Sequence, residues 1–342
     1  MPDHEPDIDK RALSAAWGTE LPLSLEKLAG DASTRVYFRA MYPRKRSAIV
    51  MLQPHRGRDE EAAFLEIREF LEGLDLPVPR VYAHDRLLGL VVLEDLGDDH
   101  LESVVERVDQ THLKKIYGDA VHLLVKMRRA TRNLASGCRA FHLAFDVKKL
   151  MEEMEFFFAH FVKGLCKIQP TAAASTVLED FFINICTILA AQPRIFTHRD
   201  FHSRNLILHG DRLVMIDFQD ARMGPAQYDL ASLLRDSYVT LPEELIEELL
   251  TAYMDEVGIA ASGSSRERFR YIFDVMSLQR NIKALGTFGY QLSVRGCDRY
   301  LSSIPRTAAY VSQNISRYKE LARFRSVVQE LICAPSKELS LI

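Results

Sequence analysis

Residues 198–219 read HRDFHSRNLILHGDRLVMIDFQ, and this stretch decides the fold. Asp200 stands five residues before Asn205. A short turn follows, and the apolar strand after the turn ends in a second acid, Asp217. Two surface acids near an apolar strand would be the simplest interpretation of this pattern. The strand context and the spacing favour a catalytic layout instead, because both match what such a motif requires.

The order and spacing of these residues resemble the catalytic loop and metal site of eukaryotic-type kinases. In that chemistry one carboxylate accepts the proton of the acceptor hydroxyl, which assigns Asp200 as the catalytic base. An amide and a second carboxylate, here Asn205 and Asp217, hold Mg²⁺ on the nucleotide phosphates, because this ion prefers a few hard oxygen ligands. The sequence therefore predicts phosphoryl transfer that uses ATP and Mg²⁺.

The details around this core indicate a kinase for small molecules. Protein kinases of the Ser/Thr type commonly carry Lys two residues after the base, where this chain has His202. Only nine residues separate Gln219 from Asp229, and no APE-like sequence follows, so a long activation segment has no room. These departures resemble the aminoglycoside phosphotransferase and choline kinase group, from about Ala29 to Pro305. The resemblance implies an α+β, protein-kinase-like fold with two lobes.

Length and charge set the expected architecture and partners. The chain has 342 residues, of which 47% are hydrophobic, and its net charge is −3. This length exceeds one ordinary core, so we expect a β-rich N-lobe over residues 1–96 and a mainly helical C-lobe over residues 97–342. A chain with this small negative charge is not expected to have a basic surface that binds a polyanion, so nucleic acid is not an expected partner.

The cysteines and the apolar runs indicate the compartment. The five cysteines are odd in number and widely spaced, which favours a reducing cytoplasm over a disulfide framework or a zinc site. The N-terminus MPDHEPDIDK is too polar for a signal peptide, and no apolar run reaches about 18 residues. We therefore expect a cytoplasmic enzyme with a small-molecule substrate, no membrane segment and no evident protein partner.

The first hundred residues predict a small sheet that carries one helix. Alternation with a period of two, and short apolar runs between turns, indicate the strands. The expected strands cover residues 24–29, 34–41, 47–52, 80–83 and 89–93. A helix is expected over residues 60–71, with Asp59 as its cap.

The sequence predicts a loop that binds the nucleotide phosphates, but it lacks a lysine that kinases normally use for the same purpose. The turn expected to cover the phosphates contains Gly30, Asp31 and Ser33. Backbone N–H groups of such a turn can cradle phosphate oxygens, although a plain hairpin turn is the alternative. The third strand carries Met51 where kinases normally have a Lys. Either Arg35 or Arg39, on the preceding strand, supplies the missing charge, or Mg²⁺ and backbone amides suffice.

Residues 91–97 read VVLEDLG and resemble the hinge between two kinase lobes. Backbone groups around Glu94 and Leu96 would offer donors and acceptors to the edge of a nucleobase, with apolar side chains on either side. A strand followed by an ordinary turn is the alternative.

Helical apolar spacing dominates the rest of the chain. The expected helices cover residues 109–134, 146–165, 176–190, 228–238, 243–257, 265–288 and 304–332. At the start of one of them, Asp229 has two alternative roles. It either accepts hydrogen bonds from catalytic-loop amides or caps its own helix.

A closer family resemblance rests on five segments. They are residues 30–37 (GDASTRVY), 198–205 (HRDFHSRN), 216–221 (IDFQDA), 228–236 (YDLASLLRD) and 279–288 (QRNIKALGTF). These segments resemble bacterial cell-wall amino-sugar kinases, whereas residues 138–190 and 306–342 carry no motif of that family. The resemblance implies phosphate transfer from ATP to the anomeric hydroxyl of N-acetylmuramate or N-acetylglucosamine, in peptidoglycan recycling.

The acceptor contacts are predicted from the needs of a sugar. A sugar requires several fixed donors and acceptors, and an anionic lactyl group requires a cation. His202, Asp236 and Arg280 are the expected contacts, although Arg280 and Lys283 could form one solvated helix face. An aminoglycoside, choline or a homoserine-like alcohol is the alternative acceptor. A nucleotide-binding pseudokinase is a further alternative because of Met51, but the intact catalytic motif favours an enzyme.

Overall fold

The computed structural model describes residue 13 and residues 21–28, 35–53, 58–134, 137–260 and 263–338. The chain divides into two compact units. The first unit extends to Asp99 and takes in Ile207–Gln219, and the second contains His100–Leu206 and Asp220–Ile342. The turn predicted at residues 30–33 lies outside the described residues.

Both units consist of short strands and helices that the apolar pattern largely predicts. In chain order the elements are β1 (Ser24–Lys27), β2 (Val36–Met41), β3 (Ser47–Leu52), α1 (Arg58–Gly73), β4 (Val81–Asp85), β5 (Leu90–Glu94), α2 (Leu101–Val105), α3 (Gln110–Ala130), α4 (Val147–Phe157), α5 (Ala172–Ala190), β6 (Arg194–Thr197), β7 (Leu206–His209), β8 (Arg212–Met215), β9 (Arg222–Pro225), α6 (Tyr228–Leu234), α7 (Glu243–Glu256), α8 (Ser264–Ser293), α9 (Ile304–Arg317), α10 (Arg325–Val328) and α11 (Ala334–Glu338). A five-stranded sheet followed by a largely helical remainder confirms the expected α+β class.

The first unit is built on one antiparallel sheet with the strand order β1-β2-β3-β5-β4. Its buried face contains Ala40, Ala48, Val50 and Val92. Ala48 and Val50 are two residues apart on β3, so they point to the same face of the sheet. All five predicted strands are confirmed, each to within two residues at its ends.

The predicted start of α1 is wrong. The helix begins at Arg58, so Asp59 lies in its first turn and does not cap it. An acid in the first turn interacts favourably with the helix dipole, so the same residue type suits both positions. The predicted apolar face is confirmed, because Ile67 and Leu71 are fully buried.

The hairpin of β7 and β8 belongs to the first unit from Ile207 onward. Ile207 and Val214 pack against Leu96 in a small buried cluster, with Ile216 at its margin. Apolar contacts thus attach the hairpin to the end of the sheet region. As a result, Asp217, just beyond β8, is carried by the first unit.

The second unit is organised around α8, which packs against α4, α6 and α9. Two glycines on α8 allow its closest approaches. A Cβ atom at Gly286 would lie 2.7 Å from the Cα of Phe157, and one at Gly289 would lie 2.6 Å from the carbonyl oxygen of His160. Contacts this short exclude any side chain, so the two glycines set how closely α8 packs on α4 and on the π-helical segment Phe158–Leu165.

Several predicted helix bounds differ from the structure. α5 begins at Ala172, four residues before its expected start, and α8 ends at Ser293, five residues beyond its expected end. α6 ends at Leu234 rather than at residue 238. Beyond this end, the carboxylate of Asp236 accepts the backbone N–H of Tyr238 at 2.9 Å. This N–H group is therefore not bonded within a longer helix. The helix expected over residues 146–165 is α4 followed by the π-helical segment, so the helical period changes partway along it.

The helix expected over residues 304–332 is interrupted at Tyr318, whose backbone is extended (φ −114°, ψ 132°). The Tyr318 hydroxyl donates to Asp274 Oδ2 at 2.7 Å, and Arg317 Nη1 lies 2.7 Å from the same oxygen. Asp274 is fully buried, so leaving its carboxylate without these partners would be costly. A 3₁₀ turn, Lys319–Phe324, follows Tyr318.

Among the described residues, α5 is the one helix that is long and apolar enough to cross a membrane, with a mean hydropathy of 1.5 over its most apolar window. Buried helices of globular proteins meet the same criterion. Phe181 on α5 packs against Phe324 with ring centroids 5.4 Å apart, and Phe182 packs edge-on to Phe157 at 6.0 Å. The aromatic side of α5 is therefore covered within the second unit.

Candidate functional site

β6 leads directly into the catalytic loop. It pairs antiparallel with β9, with Phe196 opposite Met223, and residues 198–205 follow it. Arg199 adopts a φ of 82°, a left-handed conformation that residues other than glycine rarely adopt. Strained backbone of this kind persists only where neighbouring contacts fix it, and it concentrates at functional sites.

Asp229 supplies these contacts from the first turn of α6. Its Oδ2 accepts the N–H of His198 at 2.7 Å, and its Oδ1 accepts the N–H of Arg199 at 3.0 Å. Of the two alternatives for Asp229, bonding to catalytic-loop amides is therefore confirmed, while Gln227 occupies the capping position. Burial raises the pKa of Asp229 to about 7, although the two N–H groups act in the opposite direction.

Three cations surround the carboxylate of Asp200. Lys283 Nζ lies 3.1 Å from its Oδ1, and Arg280 Nη1 lies 3.8 Å from the same oxygen. Arg199 Nε lies 3.9 Å from Oδ2. Burial by itself would raise the pKa of Asp200, but the neighbouring charges hold that pKa well below its usual range. Asp200 is therefore ionised at neutral pH.

Arg280 and Lys283 lie one turn apart on α8 and have different surroundings. Arg280 donates from Nη1 to the carbonyl of Arg199 at 2.6 Å. Its guanidinium also lies 4.7 Å from the ring centroid of Tyr228. Arg280 thus braces the strained turn, whereas Lys283 directs its ammonium group to Asp200.

His202 and Asn205 lie in the same loop as Asp200. Asn205 donates from Nδ2 to the backbone carbonyl of Asp200 at 2.9 Å, which directs its amide oxygen away from that carbonyl. His202 Nε2 lies 3.4 Å from the same Nδ2, and the imidazole ring packs edge-on to Tyr238 at 5.3 Å. Burial lowers the pKa of His202 to about 3, so its ring is neutral.

Asp236 holds the second half of the loop. Its Oδ2 accepts the N–H of Ser203 at 2.9 Å, and its Oδ1 accepts the N–H of Tyr238 at the same distance. The side chain is almost fully buried, and this burial raises the pKa of Asp236. Each carboxylate oxygen has a second lone pair, so Asp236 can still accept a bond from a ligand hydroxyl.

These residues enclose a small polar cavity of about 130 Å³ within the second unit. Its lining includes Asp200, His202, Asp236, Arg280, Lys283 and Phe288. The structure therefore brings the expected base together with all three side chains expected to contact the substrate. Carboxylates, cations and an aromatic wall around one cavity suit a small ligand with several polar groups.

Asp217 is positioned within the first unit. Its backbone has a φ of 63°, the second strained non-glycine conformation in the motif. Gln219 donates from Nε2 to Asp217 Oδ1 at 2.7 Å. The next side chain, Phe218, is fully buried and stacks on Phe64 of α1 with ring centroids 5.2 Å apart. Phe218 thus anchors the turn while the Asp217 side chain stays exposed.

The two candidate cations of the first unit have different partners. Arg39 pairs with Asp95 at 2.9 Å and with Asp98 at 2.8 Å, so its charge is already balanced. Arg35 is buried and donates from Nε to Gln53 Oε1 at 3.1 Å. The two carboxylates that Arg39 already binds favour Arg35 over Arg39 as the substitute cation.

The predicted hinge lies where β5 ends. Glu94 Oε2 accepts the backbone N–H of Arg80 at 3.2 Å, and His209 Nδ1 lies 3.1 Å from the carbonyl oxygen of Leu96. These contacts hold the strand end in a fixed position. The residues predicted to cover the phosphates lie outside the described part of the chain and are Gly30, Asp31 and Ser33.

Sequence analysis did not predict the contact between Lys283 and Asp200. Its contact with Asp200 joins positions that are 83 residues apart in the chain, and no local spacing rule connects them. The available signal was its separation of three residues from Arg280, which places both side chains on one face of a helix.

A family model described as "Phosphotransferase enzyme family" matches residues 24–264 of this chain. An N-acetylmuramate/N-acetylglucosamine kinase of Neisseria meningitidis serogroup B is 31% identical over 317 residues, which are 92% of each chain. A protein of the same name from Pseudomonas putida is 28% identical over 318 residues, covering 92% of this chain and 91% of that protein.

The crystal structure of the aminoglycoside phosphotransferase APH(2'')-Ib with ADP bound superposes with a TM-score of 0.61 at 17% identity. The superposition covers 95% of this chain and 100% of that one. At this level of identity the likeness shows the fold alone, and it confirms the expected protein-kinase-like fold. The family match covers more than half of the chain, and the Neisseria relative extends over nearly all of it. The chain belongs to the phosphotransferase enzyme family.

Proposed function

We propose that this chain transfers the γ-phosphate of ATP to the anomeric hydroxyl of N-acetylmuramate or N-acetylglucosamine. The cavity at Asp200 carries the proposal, because it gathers two carboxylates, three cations and an aromatic wall around a space for a small polar molecule. The names of the two relatives support this choice of acceptor. The five cysteines are free thiols, which supports a reducing cytoplasm as the location.

Asp200 acts as the base in this reaction. The acceptor oxygen forms a bond to the γ-phosphorus, the bond from that phosphorus to the leaving ADP oxygen breaks, and the hydroxyl proton passes to Asp200. A carboxylate whose pKa is held low is a weak base. It suits an anomeric hydroxyl, because the adjacent ring oxygen makes this group more acidic than an ordinary alcohol.

The charges of the cavity support an acceptor that is not polycationic. Arg235, Arg280 and Lys283 line the cavity, and they outnumber its two carboxylates, Asp200 and Asp236. Aminoglycosides carry several ammonium groups, and an excess of cations at short range disfavours such a ligand. A neutral N-acetyl sugar avoids this repulsion, and the lactyl carboxylate of N-acetylmuramate would be attracted.

Asn205 and Asp217 hold Mg²⁺ in this proposal. The donor set fits, because Asn205 and Asp217 offer hard oxygen ligands. The bond from Asn205 Nδ2 to the Asp200 carbonyl turns the amide oxygen away from that carbonyl, and the side chain of Asp217 is exposed. The bound ion supplies positive charge to the nucleotide phosphates. Asp217→Ala is expected to abolish Mg²⁺-dependent nucleotide binding, and calorimetry that shows unchanged affinity for Mg²⁺ and ATP would contradict the assignment.

The nucleotide contacts come from the first unit. Backbone groups at Glu94 and Leu96 face the nucleobase edge, and Arg35 supplies positive charge to the phosphates. The pairing of Arg39 with two carboxylates supports this choice of arginine. The loop that covers the phosphates contains Gly30, Asp31 and Ser33.

ADP release with a panel of acceptors tests the proposal. N-acetylmuramate and N-acetylglucosamine are expected to be turned over, with little activity on kanamycin, choline or homoserine. Phosphorus NMR of the product is expected to show an acid-labile sugar 1-phosphate. Phosphate on another carbon, or turnover of aminoglycosides alone, would overturn the acceptor while the kinase assignment stands. No ADP release with any acceptor would favour the pseudokinase alternative.

A further inference from the structure

The chain lacks lysine at both motif positions where the resemblance to kinases places one. Met51 occupies the position on the third strand, and its side chain is fully buried. His202 occupies the position two residues after Asp200, and its ring packs edge-on to Tyr238. Phosphoryl transfer spreads negative charge over the transferred group and depends on positioned cations. Arg35 replaces the first of these lysines in the function proposed above, so the second position, in the catalytic loop, is the one still without a substitute.

We propose that Lys283 is the cation of the catalytic loop, a positioning residue that holds the Asp200 carboxylate towards the acceptor. The inference rests on the kinase function proposed above. α8 brings the Lys283 ammonium group to 3.1 Å from Asp200 Oδ1, and both side chains line the acceptor cavity. The cation thus lies where the acceptor hydroxyl and its base must meet.

Lys283 fits this role better than Arg280 does. Arg280 is committed to the carbonyl of Arg199 and to the ring of Tyr228. Among the described residues, Asp200 is the one carboxylate that forms an ion pair with Lys283. An ammonium group has three donors, so Lys283 can bond to Asp200 and to oxygen atoms of a ligand at the same time. Its side chain is 16% exposed and lines the acceptor cavity.

A purely structural ion pair is the competing explanation. Partly buried ion pairs contribute little net stability, because desolvation offsets much of the attraction. Other bonds already fix this part of α8. Asn281 donates from Nδ2 to the carbonyl of Arg235 at 3.0 Å, and Gln279 donates from Nε2 to Glu153 Oε2 at 2.8 Å. The attachment of α8 therefore does not depend on Lys283.

Steady-state kinetics of Lys283→Ala and Lys283→Arg test the inference with any acceptor that the wild-type enzyme phosphorylates. Lys283→Ala is expected to lower kcat about tenfold or more while the KM for ATP changes much less, because the cation acts mainly during transfer. Lys283→Arg retains the charge and is expected to recover part of kcat. Methylammonium added to Lys283→Ala is expected to restore activity in a saturable manner, which a structural role would not produce.

Arg268→Ala is the matched control, because it removes a positive charge from an exposed position on the same helix. Its kcat is expected to equal that of the wild-type enzyme. Circular dichroism melts check folding, and Lys283→Gln replaces Lys283→Ala if the latter unfolds. Near-wild-type kcat in the uncharged variant, or an equal loss in Lys283→Arg without rescue by methylammonium, overturns the inference. A wild-type enzyme that releases no ADP with any acceptor counts against the proposed function instead.

Discussion

The carboxylates at the catalytic loop have two kinds of partner. Burial would raise the pKa of Asp200, yet the charges of Lys283 and its neighbours hold it well below its usual range. Asp229 and Asp236, the two bracing carboxylates, accept backbone N–H groups of the loop instead, and burial raises the pKa of both. One side-chain type thus provides an ionised reactive group in one position and two braces in the others.

The comparison shows that the group bound to each carboxylate, a cation or a backbone N–H, determines whether that carboxylate is reactive or structural. A full positive charge offsets the loss of hydration that burial imposes, whereas an N–H dipole offsets only part of it. Substitution of Asp200 should therefore change turnover. Substitution of a bracing carboxylate should change stability, because it removes the acceptor of backbone N–H groups in the loop.

Asp200→Asn removes the reactive carboxylate and should give the largest effect. An amide cannot accept the hydroxyl proton, so turnover is expected to fall about a hundredfold or more while ATP affinity stays close to that of the wild type. Initial rates of ADP release and calorimetry measure the two quantities. Asp211→Asn, at the exposed turn between β7 and β8, is the control and should leave turnover unchanged. Near-normal turnover of Asp200→Asn would remove this residue from the mechanism.

Asp236→Ala removes a bracing carboxylate, with a smaller effect that appears in stability. The substitution leaves the buried N–H of Ser203 and the partly buried N–H of Tyr238 without their acceptor, which costs about 1–3 kcal/mol in free energy of unfolding. Urea unfolding measures this loss, and Asp236→Asn, which keeps one oxygen, should lose less. If Asp236→Ala is as stable as the wild type and only its KM for the acceptor rises, Asp236 serves the ligand and not the loop.

How much of this site could be predicted depends on distance along the chain. Asp200 and Asn205 lie in one loop, so their spacing alone predicts that they lie together, and the hydrogen bond between them follows. The strands of the first unit are similarly local, because each repeats every two residues. Lys283 and Arg280 reach Asp200 only through the packing of α8, which no local spacing encodes.

The helix ends that the sequence placed wrongly have a shared physical cause. Asp236 takes the N–H of Tyr238 beyond the end of α6, and Tyr318 bonds to the buried Asp274 beyond the end of α9. Beyond α6 a side chain binds a backbone N–H group, and beyond α9 a side chain binds a buried carboxylate. Each of these bonds competes with the formation of another helical turn. Apolar periodicity identifies which face of a helix is buried, but it does not predict where such a competing bond ends the helix.

The smallest expected effect concerns how stability depends on pH at Asp229. Its folded pKa is about 7, raised by burial above the ordinary value of 3.8. The folded state therefore holds this proton more tightly than the unfolded chain, so the contribution to stability is complete below about pH 4 and is lost as the pH rises through about 7. Urea unfolding of the wild type and of the non-titrating Asp229→Asn between about pH 5 and pH 8 should show the wild type losing about 1.4 kcal/mol or more relative to the variant, the equivalent of one pKa unit. A difference that stays constant or grows with rising pH would show that the two loop amides, and not burial, set the protonation of Asp229.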